Sequence, residues 1–389
     1  MNKKIKFILA IVFLCYGSAY SAYEFLFEWK TAVKPNDIMF DTDRSIWVAD
    51  AGIETLIKYD GTGREISRWA SIGEPMGIVS DGEYFYAVKY SSTNNIVCKY
   101  TKTGTELARW GTGLAGETTN YFFWPWGIAV DDNYVYVADN CNNRIRLLDK
   151  TTGYYMDWNI SDLWPNGIAL YNDRAYIASQ GGGPNGGVYI LSKPSGTVIN
   201  NWATPSKPFD IDVNGDASKI FVICGSTLGV IVYDSNGVQL ETFGGPLGSG
   251  EGQFNFTKDG SGIYVDKING NVYVADKLNG RVQVFGDKSK LIDSTKGTMK
   301  TVNNVFNPNG GKSAWIMYNI LTAGQVKIEI YTITGTLIKT LVNETMAVGS
   351  YTKFWTGDNM NNEAVAPGIY FVHIEAPGFT DTQKVCVIR

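Results

Sequence analysis

The stretch PWGIAVDDNYVYVADNCNNRIRLLDKTTG at Pro125–Gly153 decides how the chain is read, because its parts recur along the sequence. Its opening piece returns as Pro35–Ile38, Pro75–Ile78, Pro165–Ile168 and Pro208–Ile211, with a copy lacking proline at Gly262–Asp266. Its second piece returns as SIWVAD, YFYAVK, RAYIAS, KIFVIC and NVYVAD. Its third returns as TLIKYDGTG, IVCKYTKTG, VYILSKPSG, VIVYDSNG and RVQVFGD. An aromatic marker stands between copies: Trp29, Trp69, Trp110, Trp158, Trp202 and Phe243, spaced by 40, 41, 48, 44 and 41 residues. That period belongs to four-stranded propeller blades rather than to helical repeats.

The strand chemistry agrees. Each copy holds β-branched or alternating runs punctuated by Gly, Asn, Asp or Pro, the pattern of short antiparallel strands. A lone four-stranded sheet leaves both faces wet, so it must stack on neighbours, and a ring of stacked sheets buries them all. The chain opens with a marker strand, YEFLFEWK at 23–30, and the sixth repeat stops after its third strand at RVQVFGD. The strands balance only if the first pairs with the last three, which closes the ring and removes the open edge. The expected fold is therefore all-β: a six-bladed β-propeller over residues 22–287 whose N-terminal strand completes the last blade.

These residues resemble the NHL-repeat β-propellers. The resemblance rests on the Pro125–Asp131 phrase, the V-Y-V-A-D strand, the pieces at Asn143–Ile145 and Asn279–Val282, and the connector FGGPLGSGEGQF at 243–254. The third and sixth repeats match best; the second has Lys89 and the fifth Cys224 where Asp is usual. The resemblance implies a binding or scaffolding protein more than an enzyme, since fold alone does not fix chemistry.

Residues 1–21 read as a secretory signal peptide: Lys3, Lys4 and Lys6, an apolar run from Phe7 to Cys15, then small residues. The run is shorter than the roughly 20 apolar residues of a membrane helix, and no later stretch approaches that length. The expected location is secreted or cell-surface. With 34 Lys+Arg against 38 Asp+Glu the chain lacks the basic excess of nucleic-acid binders. The acidity sits in residues 22–299, with 24 Lys+Arg and 32 Asp+Glu. One histidine, His373, argues against His-rich metal sites and makes any Ser–His or Cys–His relay depend on that residue. Cys98, Cys141, Cys224 and Cys386 form no CxxC pair, so no zinc site or disulfide framework is indicated; a single Cys98–Cys141 bridge is left open by an exported location.

After Asp287 the sequence turns polar, and 288–302 reads as a linker. Residues 303–389 hold six or so short strands, among them SAWIMYNIL, QVKIEIYTI and GIYFVHIEA, which suggest an immunoglobulin-like sandwich. From Val326 onward the chain is also similar to the Ig-like domain of flagellar hook-capping proteins and to C-terminal sorting domains of type IX secretion substrates. IYTITGTLIKTL and FWTGDNMNNEAVAPGIYF carry the likeness, with Thr356 where Asp and Asn362 where Gly are usual. The resemblance implies sorting, anchoring or spacing.

The aromatic markers recur once per repeat and read as packing residues between sheets. Aromatics that break the repeat are the better site candidates. Trp124 and Trp126 flank Pro125, Trp164 precedes Pro165, and Phe209 follows Pro208, all beside an innermost strand and hence at one mouth of the central channel. Lys34, Asn36, Glu74, Met76, Asn166 and Lys207 hold the equivalent positions. This mixed rim suits a carbohydrate or an extended peptide; capping of the core is the competing reading. A second hypothesis is a metal-dependent lactonase or esterase-like hydrolase using Asp50, Asp139 and Asp276, which end second strands. DIDVNGD at 210–216 superficially resembles a calcium loop, but Phe221 stands where the bidentate Glu belongs, so it reads as strand and turn. No catalytic residue, metal or cofactor is assigned. The expectation is a monomeric binding protein for an extracellular protein or polysaccharide, with Trp124, Trp126, Trp164, Phe209, Lys34 and Lys207 at the channel mouth.

Overall fold

The computed structural model describes residues 23–287 and 296–388, apart from residues 32, 62, 92, 118–119, 184–185, 194, 226–228, 257–260, 303 and 309–312. The leader expected over 1–21 lies outside the described residues. Strands Pro35–Phe40, Ile46–Asp50, Thr55–Tyr59 and Glu65–Trp69 form the first four-stranded antiparallel sheet. The next four sheets repeat that order from inner strands Pro75–Ser80, Pro125–Val130, Pro165–Tyr171 and Pro208–Val213. The sixth combines Ile263–Val265, Val272–Asp276 and Arg281–Gly286 with the N-terminal strand Glu24–Lys30, which pairs antiparallel to Arg281–Gly286. Inner strands of successive sheets touch one another, and Ile263–Val265 touches Pro35–Phe40, so the sheets close into a β-propeller.

The repeat's residue types explain the stacking. Second and third strands are buried almost throughout, whereas outer strands such as Glu65–Trp69 face solvent. Each marker tryptophan rests on a left-handed glycine in the turn before the next sheet's outer strand: Trp29 on Gly63, Trp69 on Gly104, Trp110 on Gly153, Trp158 on Gly196 and Trp202 on Gly237. A side chain at those glycines would occupy the indole's place, and their positive φ favours glycine independently. At the closure Tyr23 stacks on Phe243 at 5.3 Å.

Ion pairs tie neighbouring sheets where the inner strands end. Asp41 takes Lys102, Asp81 takes Lys150, Asp131 takes Lys193, Asp212 takes Lys267 and Asp266 takes Arg44. Each pair joins one sheet to its neighbour, the last joining the sixth to the first. The Lys150 and Lys193 ammonium groups help hold the Asp81 and Asp131 carboxyls below their usual range against the opposing effect of burial, and Arg44 does the same for Asp266.

Beyond the propeller two sheets pack face to face. One contains Thr298–Val302, Ala314–Ile320 and Gly349–Trp355; the other contains Val305–Phe306, Phe379–Val387, Gly368–Ala376, Gly324–Thr332 and Leu337–Met346. Tyr318, Ile328, Trp355 and Val372 lie in their shared core. Thr298–Val302, expected as linker, is a strand because Met299 faces the core. Phe25 on the closing strand meets Trp315 of the sandwich in a T-shaped, edge-to-face contact at 6.0 Å. Cys98, Cys141, Cys224 and Cys386 are free thiols, so the Cys98–Cys141 bridge is not formed; the two residues belong to different sheets, and Cys141 Sγ faces Asn140 Oδ1. No helix among the described residues is long and apolar enough to cross a membrane.

Candidate functional site in the propeller channel

The channel wall is built from the first residues of the inner strands. In four sheets the third position of this piece is glycine: Gly77, Gly127, Gly167 and Gly262. None has a positive φ, so close approach of the next strand explains the residue. A Cβ on Gly77 would lie 2.6 Å from the Trp126 carbonyl oxygen, and one on Gly262 2.6 Å from Asp37 Cα. A Cβ on Gly127 would overlap the Asn166 carbonyl. These contacts narrow the ring to a cavity of about 210 Å³.

The first and fifth sheets carry Asp37 and Asp210 in place of that glycine. Asp37 Oδ2 accepts the Ile78 N–H across the sheet boundary at 2.8 Å, and Asp210 Oδ2 accepts the Ile263 N–H at 2.8 Å. Both carboxylates line the cavity and are half-buried. Burial, with the nearby Asp212 carboxylate adding to it, pushes the Asp37 carboxyl up to about 7 despite its backbone hydrogen bonds. Burial and then Asp37 raise Asp210 as well. Asp212 is paired with Lys267 at 2.6 Å.

Of the residues expected at the channel mouth, Trp126 and Phe209 line the cavity, whereas Trp124, Trp164, Lys34 and Lys207 do not. Asn36, Met76 and Asn166 line it as well. Trp124 and Trp164, one residue before the inner strands, are 45% and 47% exposed. Both adopt left-handed backbone, with φ of 54° and 40°, a conformation that bulky residues rarely take. Hydrogen bonds hold them there: the Trp124 carbonyl accepts from Asn140 N, the Trp164 carbonyl from Gln180 N, and Trp164 N donates to Asn143 Oδ1. Tyr90 packs edge-on to Trp124 at 5.8 Å and stacks on Trp126 at 6.3 Å. Lys34 and Lys207 occupy the matching exposed positions of the first and fifth sheets. The aromatic group on the third and fourth sheets thus has Lys207 beside it on the fifth sheet and the exposed Glu74 beside it on the second, with Lys34 one sheet further on.

Asp50, Asp139 and Asp276 do not form a metal set. Each belongs to a separate sheet, none lines the cavity, and their oxygens are occupied by N–H donors. Asp50 accepts from Val33, Lys34 and Gly52; Asp139 from Phe123, Asn142 and Arg144; Asp276 from Asn255, Asn279, Arg281 and Gln283. They position the segments that lead into the inner strands, with Asp139 holding Phe123 beside Trp124. His373, on the sandwich, meets Thr382 Oγ1 at 2.7 Å and takes no part in the channel.

Residues 122–146, within the third sheet, match the NHL repeat. No curated protein matches it. Among solved structures it is similar to hydrazine synthase from Kuenenia stuttgartiensis, at 17% identity over 68% of this chain and 80% of that one, with a TM-score of 0.50. That likeness concerns the fold alone. Virginiamycin B lyase from Staphylococcus aureus aligns at 14% identity over 68% and 99% of the two chains, with a TM-score of 0.48. A functionally unknown protein from Desulfotomaculum acetoxidans aligns at 14% identity over 79% and 86%, with a TM-score of 0.47.

Proposed function

We propose that this is a secreted or cell-surface recognition protein, acting as a monomer by binding rather than catalysis, whose six-bladed propeller takes an extracellular polysaccharide or protein at the aromatic channel mouth. The observation that carries this reading is the pair Trp124 and Trp164, held exposed in strained backbone directly before proline. Backbone strain of this kind persists where surrounding structure over-determines it, and it clusters at ligand sites. Exposed indoles supply flat faces for sugar rings or extended peptides, and Trp126 and Phe209 continue the apolar surface inward. Lys34 and Lys207 give the rim an affinity for acidic groups. The C-terminal sandwich is Ig-like in this reading and serves sorting, anchoring or spacing, consistent with a leader at 1–21.

Glycan and peptide arrays probed with the full chain test the proposal. The parent is expected to bind one class of polymer, and Trp126→Ala to lose that binding while remaining folded by circular dichroism, with a midpoint lowered by the lost packing against Tyr90. Equal binding by parent and variant overturns the assignment of the mouth; binding on the peptide array alone selects a protein partner.

A further inference from the structure

The two aspartates stand where four sheets have glycine, and each carboxylate oxygen that accepts a single backbone N–H, from Ile38 and Ile78 at Asp37 and from Ile263 at Asp210, keeps a further lone pair. Asp37 and Asp210 come from sheets on either side of the sixth, and they flank the start of its inner strand. Gly262 lies against Asp37, while the next residue, Ile263, donates its N–H to Asp210. Among the described residues neither carboxylate has a basic partner. Lys267, the cation lining this cavity, is committed to Asp212 and to the Val213 carbonyl.

Two further oxygens lack partners. Ser261 is 3% exposed and Asn36 6% exposed; both line the cavity, and neither Ser261 Oγ nor Asn36 Oδ1 has a hydrogen-bond partner. The Asn36 amide nitrogen is directed at Met76 Sδ and the Pro75 carbonyl, which leaves its oxygen as the unsatisfied atom. Buried polar atoms without partners are costly and call for an occupant. Asn36 Oδ1 and the remaining lone pairs of the two carboxylates can only accept, and a serine hydroxyl can also offer a lone pair. An all-oxygen set with two negative charges and two neutral ligands matches a hard divalent cation, and calcium's tolerance of irregular geometry, with waters filling the remaining positions, suits this mixed wall.

We propose that the channel binds one hard divalent cation of the calcium type between Asp37 and Asp210, with Ser261 Oγ and Asn36 Oδ1 as neutral ligands. This site lies inside the channel and is independent of polymer binding at the mouth.

The test uses the full chain, stripped with a chelator and then titrated calorimetrically with calcium chloride or magnesium chloride, with elemental analysis of the dialysed product. The expected result is one equivalent of ion bound to the parent and a thermal midpoint that rises on binding. Asp37→Asn and Asp210→Asn are expected to lose the bound ion while retaining the parent's circular dichroism. Ser261→Ala is expected to bind more weakly, and it reads the same site should an aspartate variant fail to fold. Uptake of magnesium in place of calcium identifies the ion within the same class. A parent that takes up neither ion at millimolar concentration overturns the proposal, as do folded aspartate variants that keep the parent's stoichiometry.

Discussion

Gly77→Ala adds one methyl group at the boundary between the second and third sheets, and its effect follows from the spacing there. The new Cβ would lie 2.6 Å from the Trp126 carbonyl oxygen and 3.1 Å from Ile128 Cγ2. An ordinary carbon–oxygen approach is about 3.3 Å or more, so the shortfall is about 0.7 Å against a backbone atom that cannot rotate away. The sheets must part, and because the ring is closed the displacement passes to the other boundaries. Gaps of this size forfeit roughly a quarter to a half of the dispersion attraction along the opened contact. Overpacking of this kind costs about 2–3 kcal/mol. At roughly 2–4 °C per kcal/mol for a domain near this size, the thermal midpoint is expected to fall by about 4–12 °C. Gly61→Ala is the control, since a Cβ there meets nothing within 4 Å and Gly61 has no positive φ. A Gly77→Ala protein that melts with the parent by circular dichroism would refute the claim that close inner-strand contact holds the ring.

Other perturbations separate the remaining elements. Trp164→Gly and Trp164→Ala both remove the ring, but only glycine relieves the left-handed backbone; the glycine variant is expected to be more stable by about 1 kcal/mol in urea melts, and equal midpoints would contradict the strain argument. Arg281→Ala leaves Asp276 and Glu28, both buried, without their shared cation. A loss of about 3–5 kcal/mol is expected, with faster tryptic cleavage at Lys30 as the closing strand loosens; an unaltered cleavage rate would count against that strand as the ring's closure. Asp81, Asp131 and Asp266 have carboxyls lowered in the folded state, so it binds fewer protons than the unfolded chain near their usual range. Their contribution is complete above the unfolded value of about 3.9 and disappears as pH falls through the lower folded values. The midpoint should drop as pH falls below about 4, and Lys150→Met should reduce that drop; an identical acid profile would show that the inter-sheet pair contributes nothing.

Much of the propeller was legible because the information is local and repeated. Alternating runs, turn glycines and one aromatic per copy are short-range signals, and counting six markers against six triplets was enough to pair Glu24–Lys30 with Arg281–Gly286. The channel was only half legible. Trp124, Trp126, Trp164 and Phe209 stood out because they break the repeat. Asp37 gives no local signal, and Asp210 reads only as part of the strand and turn DIDVNGD at 210–216, because the piece is marked by its proline and isoleucine. Across the copies a signal was nonetheless present in the third position, which is glycine in four copies and aspartate in two. The opposite error concerned Asp50, Asp139 and Asp276: three carboxylates at one phase suggested a metal, whereas the N–H donors that occupy them come from segments 16–21 residues earlier as well as from adjacent turns. That saturation needs the tertiary arrangement. The left-handed backbone at Trp124 and Trp164 could not be read either, since local preference argues against it and hydrogen bonds from neighbouring segments enforce it. Thr298–Val302 reads as linker because its polar residues conceal the inward-facing Met299.

The proposed recognition surface is formed by the exposed tryptophans of the channel mouth. The most direct measurement is co-sedimentation of the full chain with insoluble polysaccharides and with intact cell surfaces, comparing the parent with the Trp124→Ala/Trp164→Ala double variant. Retention of the parent, with at least a tenfold loss for a double variant that remains folded, is the expected result; such a loss corresponds to about 1.4 kcal/mol. Equal retention of parent and variant would contradict the claim and move recognition away from the mouth.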